Sequence, residues 1–484
     1  MGKSEEKSEK FIGRAKELAR LEELASQKKS SLIALKGRRR IGKSRLAKEF
    51  GKGKIFLNFS GLAPEENLTA QDQRDHFVKQ LCEQTRIPKP DASDWNNLFM
   101  ILDQEISKKS TVILFDEISW MALDDPTFLP KLKSAWDDYF SEKKQLVFIL
   151  CGSVSSWIEK NIISSKGFFG RLTETMTLEE LSLQESLELL DTQGFIGSMF
   201  EKMMVLSITG GVPWYIELLA KGKSANQTIM HTCFSKNGVL VTEFERIFHD
   251  LFVRRSDAYS SIVRVLISGR LSYQEIAEKE AYASGGVLTE YLEDLVLAGF
   301  LAMDQNWSFK TGQPQKFKNY RLKDNYLRFY LKYIEPNTHK IQNNLFENTA
   351  LSSFKGFSSL LGLQFENLVL HNRKIIYEFL GLHEQDIVFA SPYFQRKTAK
   401  QEACQIDFLI QTQLGLFYIC EIKLSTQTLG ISVIEEVKSK IKKLKIPRNS
   451  AAIPVLIYFG ECSEDLLDFG YFPRVLNMGK FFRD

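Results

Sequence analysis

The sequence is poor in cysteine and histidine and contains no long apolar run. Its six cysteines are scattered over 484 residues without a Cys-x-x-Cys pair, which argues against a disulfide framework and favours reduced thiols. The six histidines are also dispersed, so no zinc-ligand spacing is present. No stretch approaches the roughly 20 apolar residues of a membrane helix, and the charged N-terminus lacks the apolar segment of a signal peptide. We therefore expect a soluble, cytoplasmic protein without a membrane partner.

The composition is that of an ordinary globular protein. Hydrophobic residues make up 44% and charged residues 26%, which excludes a largely disordered, collagen-like or coiled-coil chain. At about 150 residues per domain, the length predicts roughly three domains. The formal net charge of +4 is too small to identify a nucleic-acid partner, so such a partner must be inferred from local basic patches.

The strongest motif is a phosphate-binding loop that follows the apolar segment 31–36. Residues 37–44, Gly-Arg-Arg-Arg-Ile-Gly-Lys-Ser, match the pattern G-x-x-x-x-G-K-[ST] in full. Glycines let the backbone wrap closely, so that amide N–H groups face phosphates. Lys43 is predicted to reach the β- and γ-phosphates, and Ser44 to offer its hydroxyl to Mg²⁺. The predicted ATP/ADP-binding residues here are Gly37, Arg38, Arg39, Arg40, Ile41, Gly42, Lys43, Ser44 and Arg45.

A second predicted parallel strand, 111–115, ends in two carboxylates. Asp116 is predicted to hold Mg²⁺, and Glu117 to polarise the attacking water. The next predicted strand, 146–150, leads to Ser153, which is either a polar sensor of the nucleotide or an ordinary serine between strand and loop. Arg171 follows an aromatic loop. It either completes a nucleotide site, within one chain or across a homo-oligomer interface, or is simply solvated.

The motifs occur in a distinctive order. The segment Phe-Ile-Gly-Arg at 11–14 precedes the loop, and the segments LFDEI, CGS, FFGR and GGVPWY follow it. Over about residues 10–250 this set resembles the AAA+/STAND class of P-loop ATPases, in a family found mainly in archaea. The resemblance implies that Ile12 and Arg14 lie near the adenine and that Pro213 belongs to a helical lid over the nucleotide. A turn between two helices explains the Gly-Gly-Val-Pro segment equally well without any ligand.

Residues 255–335 predict three helices followed by a hairpin, an order that resembles a winged helix-turn-helix. The third helix carries Glu290, Glu293 and Asp294, and acidic side chains are poor readers of a DNA groove. Contact with nucleic acid and a structural or protein-contact role both remain open. The basic residues that favour phosphate contact are Lys310, Lys316, Lys318, Arg321 and Lys323.

The C-terminal region predicts a β-hairpin that carries charged residues. If the turn is centred near Leu414, Asp407 lies opposite Glu421, and strand alternation places Glu421 and Lys423 on one face. Two carboxylates and an ammonium suit metal-dependent phosphodiester cleavage, since carboxylates bind Mg²⁺ and a lysine helps to stabilise or activate the hydroxide.

The pattern Asp…Glu-x-Lys resembles the PD-(D/E)xK nuclease fold. The resemblance implies that Glu366, on the preceding helix, adds a metal-binding carboxylate. Ile406 stands where the pattern has proline. The lysine-rich segment 437–445 is predicted to lie along a phosphate backbone. Two other interpretations stay open: a solvated strand face with a Glu–Lys pair, and a nuclease fold without cleavage activity.

Together these features predict an α/β protein with four parts. They are a P-loop NTPase core at 1–175, a helical lid at 176–250, a winged helix at 251–335 and a restriction-endonuclease-like domain at 340–484. The predicted function is a Mg²⁺-dependent ATPase coupled to DNA binding, with DNA cleavage undecided. The alternative is a STAND-type nucleotide-dependent switch whose C-terminal domain is a non-catalytic binding module. The predicted catalytic residues are Lys43, Glu117, Asp407, Glu421 and Lys423, and the predicted metal ligands are Ser44, Asp116, Glu366, Asp407 and Glu421.

Overall fold

The computed structural model forms two compact units. It describes residues 10–65, 67–106, 109–123, 125–219, 222–252, 255–282, 286–399 and 401–482. The first unit comprises Met1–Leu181, Glu245–Ser260 and Thr289–Gly299, and the second comprises Ser182–Phe244, Ser261–Leu288 and Phe300–Asp484. The predicted segment 251–335 supplies residues to both units, so the four-part division stays a prediction. None of the helices described here has the length and apolarity needed to cross a lipid bilayer.

The first part of the chain alternates strands and helices. Two π-helical turns, Trp136–Phe140 and Glu159–Ile163, extend the helices before them. The elements are α1 Ala15–Ala25, β1 Ser31–Lys36, α2 Lys43–Phe50, β2 Ile55–Ser60, α3 Ala70–Thr85, α4 Trp95–Glu105, β3 Thr111–Asp116, α5 Ile118–Met121, α6 Phe128–Ala135, β4 Leu146–Gly152, α7 Ser155–Ile158 and β5 Glu174–Thr177.

These strands form a parallel sheet in the order β2-β3-β4-β1-β5. The inner strands are continuous apolar runs, as expected for strands buried on both faces. The strands predicted at 31–36, 111–115 and 146–150 are therefore confirmed, and so is the parallel α/β fold. Because the strands are parallel, the residues after β1, β3 and β4 meet at one edge of the sheet, where a ligand site is expected.

Aromatic side chains fill the core beneath this sheet. Phe59 on β2 stacks on Phe77 of α3 with 4.4 Å between ring centroids, and Phe115 on β3 packs edge-on against Phe148 of β4 at 4.8 Å. Trp95 is fully buried, and its indole N–H donates a 3.0 Å hydrogen bond to Asp125. This packing fixes β3 and β4, which Glu117 and Ser153 follow directly in the chain.

The middle of the chain is mainly helical, as the apolar spacing predicts. Several helices begin with a capping box. At Ser272, for example, the hydroxyl accepts from the Glu275 amide. The elements are α8 Leu183–Thr192, α9 Met199–Thr209, α10 Pro213–Glu217, α11 Ala225–Phe234, α12 Glu243–Phe252, α13 Ser256–Val265, β6 Leu271–Ser272, α14 Tyr273–Lys279, α15 Gly286–Leu297, β7 Leu301–Trp307, β8 Pro314–Leu322, α16 Asn325–Phe329 and α17 Thr338–Gln342.

The C-terminal part contains a second sheet, in the order β13-β12-β11-β10-β9. Strands β9, β10 and β11 pair antiparallel, whereas β11, β12 and β13 pair parallel. The elements are α18 Phe357–His371, α19 Arg373–Leu380, β9 Ile387–Gln395, β10 Cys404–Thr412, β11 Leu416–Leu424, α20 Ser432–Lys443, β12 Ala451–Phe459, α21 Glu464–Asp468 and β13 Arg474–Asn477. The parallel step from β11 to β12 requires a crossover, and α20 provides it.

The β7–β8 hairpin shares a hydrophobic core with this second sheet. Trp307, at the end of β7, stacks on Phe389 of β9 with 4.6 Å between ring centroids, and its indole N–H donates to the Gln411 side chain. Trp307 belongs to the same buried cluster as Ile406 and Leu409. The hairpin therefore packs as part of the second sheet's core.

Candidate functional sites

The loop after β1 adopts a backbone that only glycine tolerates at one position. Gly37 has φ +153°, and a Cβ added there would lie 2.5 Å from the carbonyl oxygen of Leu178. Gly42 has φ +91° and immediately precedes α2. The loop is thus held close to the chain that follows β5, and α2 begins at the loop's end. A helix N-terminus of this kind attracts anions such as phosphates.

The ammonium of Lys43 is held inside the loop. Lys43 is 5% exposed and donates hydrogen bonds to the carbonyls of Gly37 at 2.9 Å and Arg38 at 3.0 Å, and to Ser153 Oγ at 2.9 Å. A buried cation requires such partners. Lys43 is therefore positioned at the predicted phosphate site with its three donors engaged by the protein.

Glu117 and Ser153 meet at the edge of the sheet. Glu117 lies just after β3 with φ +51°, and its carboxylate accepts from the Ser153 amide at 2.9 Å and from the Ser153 hydroxyl. Asp116 accepts from the amide of Glu117 at 3.1 Å. Ser153 therefore joins Glu117 to Lys43 in one hydrogen-bonded chain. Their catalytic roles stay predictions.

Arg14 and Arg38 tie the loop to the segment after β5. The Arg14 guanidinium donates to the carbonyls of Ile41 at 3.1 Å and Glu179 at 2.6 Å. Arg38 forms an ion pair with Glu180 at 3.3 Å, and both arginines are 5% exposed. Both acidic residues were absent from the sequence prediction, because nothing in a single sequence links positions more than 140 apart.

The remaining predicted nucleotide contacts lie in both units. Ile12 and Ile41 are buried, at 7% and 0% exposure. Pro213 is the first residue of α10 in the second unit, where it follows a turn between two helices as predicted. The half-buried residues among the predicted nucleotide contacts are Arg39, Arg40, Ser44 and Arg45. Contacts of all these residues with nucleotide stay predictions.

A further ion pair, missed by the sequence prediction, lies beside the loop. Lys36, the last residue of β1, contacts Glu159 at 2.5 Å. This contact lowers the pKa of the Glu159 carboxyl, against the opposing effect of its partial burial. The strand that leads into the loop is thereby fixed to the π-helical turn that starts at Glu159.

Arg171 is engaged within its own chain. Its guanidinium makes two hydrogen bonds to the Asp137 carboxylate, at 2.7 and 2.9 Å. Arg171 is the main cause of the fall in the pKa of Asp137 to about 2, and Lys133 adds to the effect. Arg171 therefore has an ion-pair partner at the protein surface, with 27% of its side chain exposed, and simple solvation stays one of the two predicted alternatives. Its role toward a nucleotide stays a prediction.

Two acidic residues of α15 have partners within the first unit. Lys160 pairs with Glu290 at 2.9 Å and with Asp294 at 3.5 Å, and Tyr259 donates to Asp294 at 2.5 Å. Asp294 is 6% exposed. These contacts favour the structural alternative for the helix, because Glu290 and Asp294 have partners in the protein.

The C-terminal hairpin has the predicted register. Phe408 pairs with Cys420, so Asp407 and Glu421 are the next residues along the two strands. Both carboxylates are buried, at 9% and 1% exposure, and the amide of Ile422 donates to Asp407 at 2.9 Å. Burial, followed by repulsion from Glu421, raises the pKa of Asp407 to about 7. Such close buried carboxylates attract a cation.

Two lysines supply positive charge beside the carboxylates of Asp407 and Glu421, and these four residues are called the cluster below. Lys423 Nζ lies 3.0 Å from Glu421 and 2.8 Å from Glu436. Burial opposes the charged form of Lys423, but these two carboxylates outweigh it and raise its pKa. Lys440 Nζ lies 2.8 and 2.5 Å from the two Glu421 oxygens and 4.0 Å from Asp407. Lys440 was not predicted for this site, although the lysine-rich pattern of α20 indicated a basic helix.

The predicted third carboxylate is less closely involved. Glu366 lies half-buried on α18 and contributes to the raised pKa of Asp407. Across the ranges described above, no three or more histidine, cysteine, aspartate or glutamate side chains are gathered closely enough to hold a metal ion. The cluster is a pair of carboxylates with two ammonium groups, and metal binding by Glu366, Asp407 and Glu421 stays a prediction.

Comparisons with known proteins identify the N-terminal part. Residues 11–219 match the family model of an ATPase domain predominantly from Archaea. An uncharacterized protein of Methanocaldococcus jannaschii is 23% identical over 365 residues, which cover 74% of this chain and 76% of that protein.

Two solved structures are similar in part. The Walker-type ATPase of Pyrococcus abyssi superposes with a TM-score of 0.49 and 17% identity, covering 66% of this chain and 96% of that one. The ORC2 protein of Aeropyrum pernix, in its ADPNP–ADP complexes, gives a TM-score of 0.37 and 14% identity over 68% of this chain and 91% of that one. The family match over 11–219 carries the assignment: this segment is a P-loop ATPase domain, and the protein is an ATPase.

Proposed function

We propose that this ATPase couples its nucleotide cycle to DNA, on which its C-terminal domain acts as a metal-dependent nuclease. The observation that carries the DNA part is the pairing of Asp407 with Glu421 on one hairpin, beside Lys423. Buried carboxylates are unfavourable in a domain that only needs to be stable. Their presence supports a chemical role.

At the nucleotide site, the chain's own residues suit ATP with Mg²⁺. Ser44 lies in the first turn of α2 and Asp116 ends β3, so a hydroxyl and a carboxylate, both hard oxygen ligands, are available for the ion. A bound Mg²⁺ would neutralise charge on the phosphates. Lys43 would exchange its Ser153 partner for a phosphate oxygen, and Glu117 would orient the attacking water.

At the C-terminal site, Asp407 and Glu421 fit a divalent cation. Burial and then the repulsion from Glu421 raise the pKa of Asp407, and such an ion would offset both effects. The metal would supply a hydroxide and polarise the phosphodiester. Lys423, fixed by Glu421 and Glu436, would stabilise negative charge on the phosphate. Together with the mixed sheet, this arrangement supports a restriction-endonuclease-like domain.

We also propose that helices α13 to α15 and the β7–β8 hairpin form a winged helix. Their order supports it, and the exposed Lys310 and Lys316 are available to phosphates. Arg321 is less available, because it pairs with Asp304 at 2.8 Å. The contacts of α15 with Lys160 make the hairpin, rather than the third helix, the proposed DNA-contacting element.

One observation favours a second function. Glu421 is 1% exposed and already neutralised by Lys423 and Lys440, as in a structural ion cluster. If these charges have only a structural role, the protein is a STAND-type switch. Its nucleotide state then controls domain rearrangement or assembly into homo-oligomers, and the C-terminal domain is a binding module.

Plasmid cleavage separates the two functions. The full chain is incubated with ATP, Mg²⁺ and supercoiled plasmid, in parallel with Asp407→Asn. Nicking by the wild type and its loss in the variant support the nuclease. Intact plasmid with both proteins rejects it. DNA affinity is then measured at about 50 and 200 mM salt. A steep loss of affinity at the higher salt indicates phosphate contacts and supports the coupling to DNA, whereas absence of DNA binding favours the switch.

A further inference from the structure

Lys440 occupies the position between the two carboxylates that a cation is expected to take. Its ammonium contacts both oxygens of Glu421 at 2.8 and 2.5 Å and lies 4.0 Å from Asp407. The contact crosses from α20 to the hairpin, so it is not imposed by neighbouring sequence. A single positive group therefore neutralises the cluster from the side of the helix.

The two lysines of the cluster are held differently. Lys423 lies on the hairpin strand itself and bridges Glu421 and Glu436, at 3.0 and 2.8 Å. Lys440 reaches in from α20, and its side chain is 23% exposed. A lysine side chain has a long flexible stem and a strongly hydrated head. Lys440 can therefore turn toward solvent without any movement of the sheet.

We propose that Lys440 is an internal cation that competes with a divalent metal for Glu421 and Asp407. In the metal-free protein it keeps two buried carboxylates neutralised, and metal binding requires its ammonium to leave. The inference rests on the proposed metal site and adds a residue that limits metal occupancy there. Lys440 is thus a positioning residue that acts through the carboxylates.

The neighbouring Lys438 offers a matched control. It lies on the same helix, carries the same charge, and pairs with Glu435 at 2.9 Å instead of with the cluster. Replacing either lysine by methionine removes one charge and retains the unbranched stem. A general electrostatic effect on metal attraction appears in both variants, whereas competition at the site appears only in Lys440→Met.

The test is Mn²⁺ binding to the nucleotide-free full chain, measured by isothermal titration calorimetry. The proteins are the wild type, Lys440→Met, Lys438→Met and Asp407→Asn, of which the last assigns the signal to the C-terminal site. We expect Lys440→Met to bind Mn²⁺ about tenfold more tightly than the wild type, equivalent to ~1.4 kcal/mol. Lys438→Met is expected to match the wild type.

Equal or weaker Mn²⁺ affinity in Lys440→Met overturns the inference while leaving the metal site intact. Absence of Mn²⁺ binding in both the wild type and Lys440→Met removes the metal site itself, and the inference with it. A second measurement uses the wild type and is therefore informative even if Lys440→Met misfolds. Acylation of Lys440 by an amine-reactive ester, followed by mass spectrometry, is expected to increase severalfold with Mn²⁺ and to stay constant in Asp407→Asn. Unchanged acylation in the Mn²⁺-bound wild type contradicts displacement.

Discussion

The ammonium of Lys43 lies 2.9 Å from the hydroxyl oxygen of Ser153. The same serine donates its amide hydrogen to Glu117 at 2.9 Å. The cation predicted to bind phosphate and the carboxylate predicted to orient water therefore share one partner. Arrival of a triphosphate would draw Lys43 away from Ser153, and that exchange links phosphate binding to the position of Glu117.

We predict that Ser153→Ala slows ATP hydrolysis more than it weakens ATP binding. Hydrogen bonds to charged groups contribute ~1.5–3 kcal/mol, so hydrolysis should fall about ten- to a hundredfold. Binding should change little, because Lys43 keeps the carbonyls of Gly37 and Arg38 as partners. Phosphate release and ATP titration measure the two effects.

Ser155→Ala is the matched control for this change. Ser155 is also buried, but its hydroxyl has no hydrogen-bond partner among the residues that the structure describes. Hydrolysis by Ser155→Ala should equal that of the wild type. Equal losses in the two variants would show that Ser153 acts only through packing.

Glu117→Gln should retain ATP and lose turnover. The amide has nearly the shape of the carboxylate but cannot accept a proton, and general-base groups contribute about 10²–10⁴ in rate. Lys43→Ala should instead abolish nucleotide binding, since it removes the buried ammonium predicted to reach the β- and γ-phosphates. Single-turnover hydrolysis and equilibrium binding distinguish the two variants. Normal turnover by Glu117→Gln would reassign the water-orienting role.

Gly37→Ala should destabilise the nucleotide loop strongly. Its added Cβ would lie 2.5 Å from the Leu178 carbonyl oxygen at a φ of +153°, so strain and overlap together are expected to cost about 2–4 kcal/mol. Gly53→Ala separates the backbone strain from the steric overlap. Gly53 also has a positive φ, +77°, but the space around its added Cβ is open, so only strain is expected there. Denaturant unfolding should show a loss for Gly53→Ala of only about 1 kcal/mol.

The local pattern predicted much of what the structure shows, and long-range partners were what it missed. The apolar run before Gly37 and the carboxylates after residue 115 indicated the strand edge, because parallel strands impose a simple rule on where their ends meet. The hairpin centre at Leu414 gave the pairing of Asp407 with Glu421, since strand register follows from the turn.

Other contacts depend on how helices pack, which a single sequence does not encode in any local pattern. Lys440 reaches Glu421 from a helix 19 positions later, and Lys160 reaches Glu290 across 130 positions. The lysine pattern of α20 predicted a basic helix but not that one ammonium would point inward. Charge patterns therefore predicted which helices are basic or acidic, and helix packing determines which partner each charged side chain has.

Tyr259→Phe should destabilise the first unit more than Glu290→Gln does. Tyr259 donates to the buried Asp294, and removal of that donor leaves a carboxylate oxygen poorly satisfied, at a cost of ~1–3 kcal/mol. The Lys160–Glu290 pair is about half exposed on each side and should contribute under ~1 kcal/mol. Thermal unfolding compares the variants. The opposite order would contradict a structural role for the acidic face of α15.

The Asp137–Arg171 pair should give stability that is lost in acid. The pKa of Asp137 is lowered from 3.8 to about 2, with Arg171 and then Lys133 as the charged neighbours responsible. A depressed carboxyl pKa means that its stabilisation is complete above about pH 5, falls by roughly half near pH 3 and vanishes below pH 2. Since the pair is partly exposed, we expect no more than ~1 kcal/mol at neutral pH.

Arg171→Gln and Asp137→Asn should therefore lower the unfolding temperature slightly at pH 7 and differ less from the wild type at pH 3. Hydrolysis separates the two predicted roles of the arginine. If Arg171 also completes a nucleotide site, in its own chain or a neighbouring one, Arg171→Gln loses ATPase activity while Asp137→Asn keeps it, because only the former removes the guanidinium. Equal activity in both variants would leave Arg171 as a structural ion-pair partner alone.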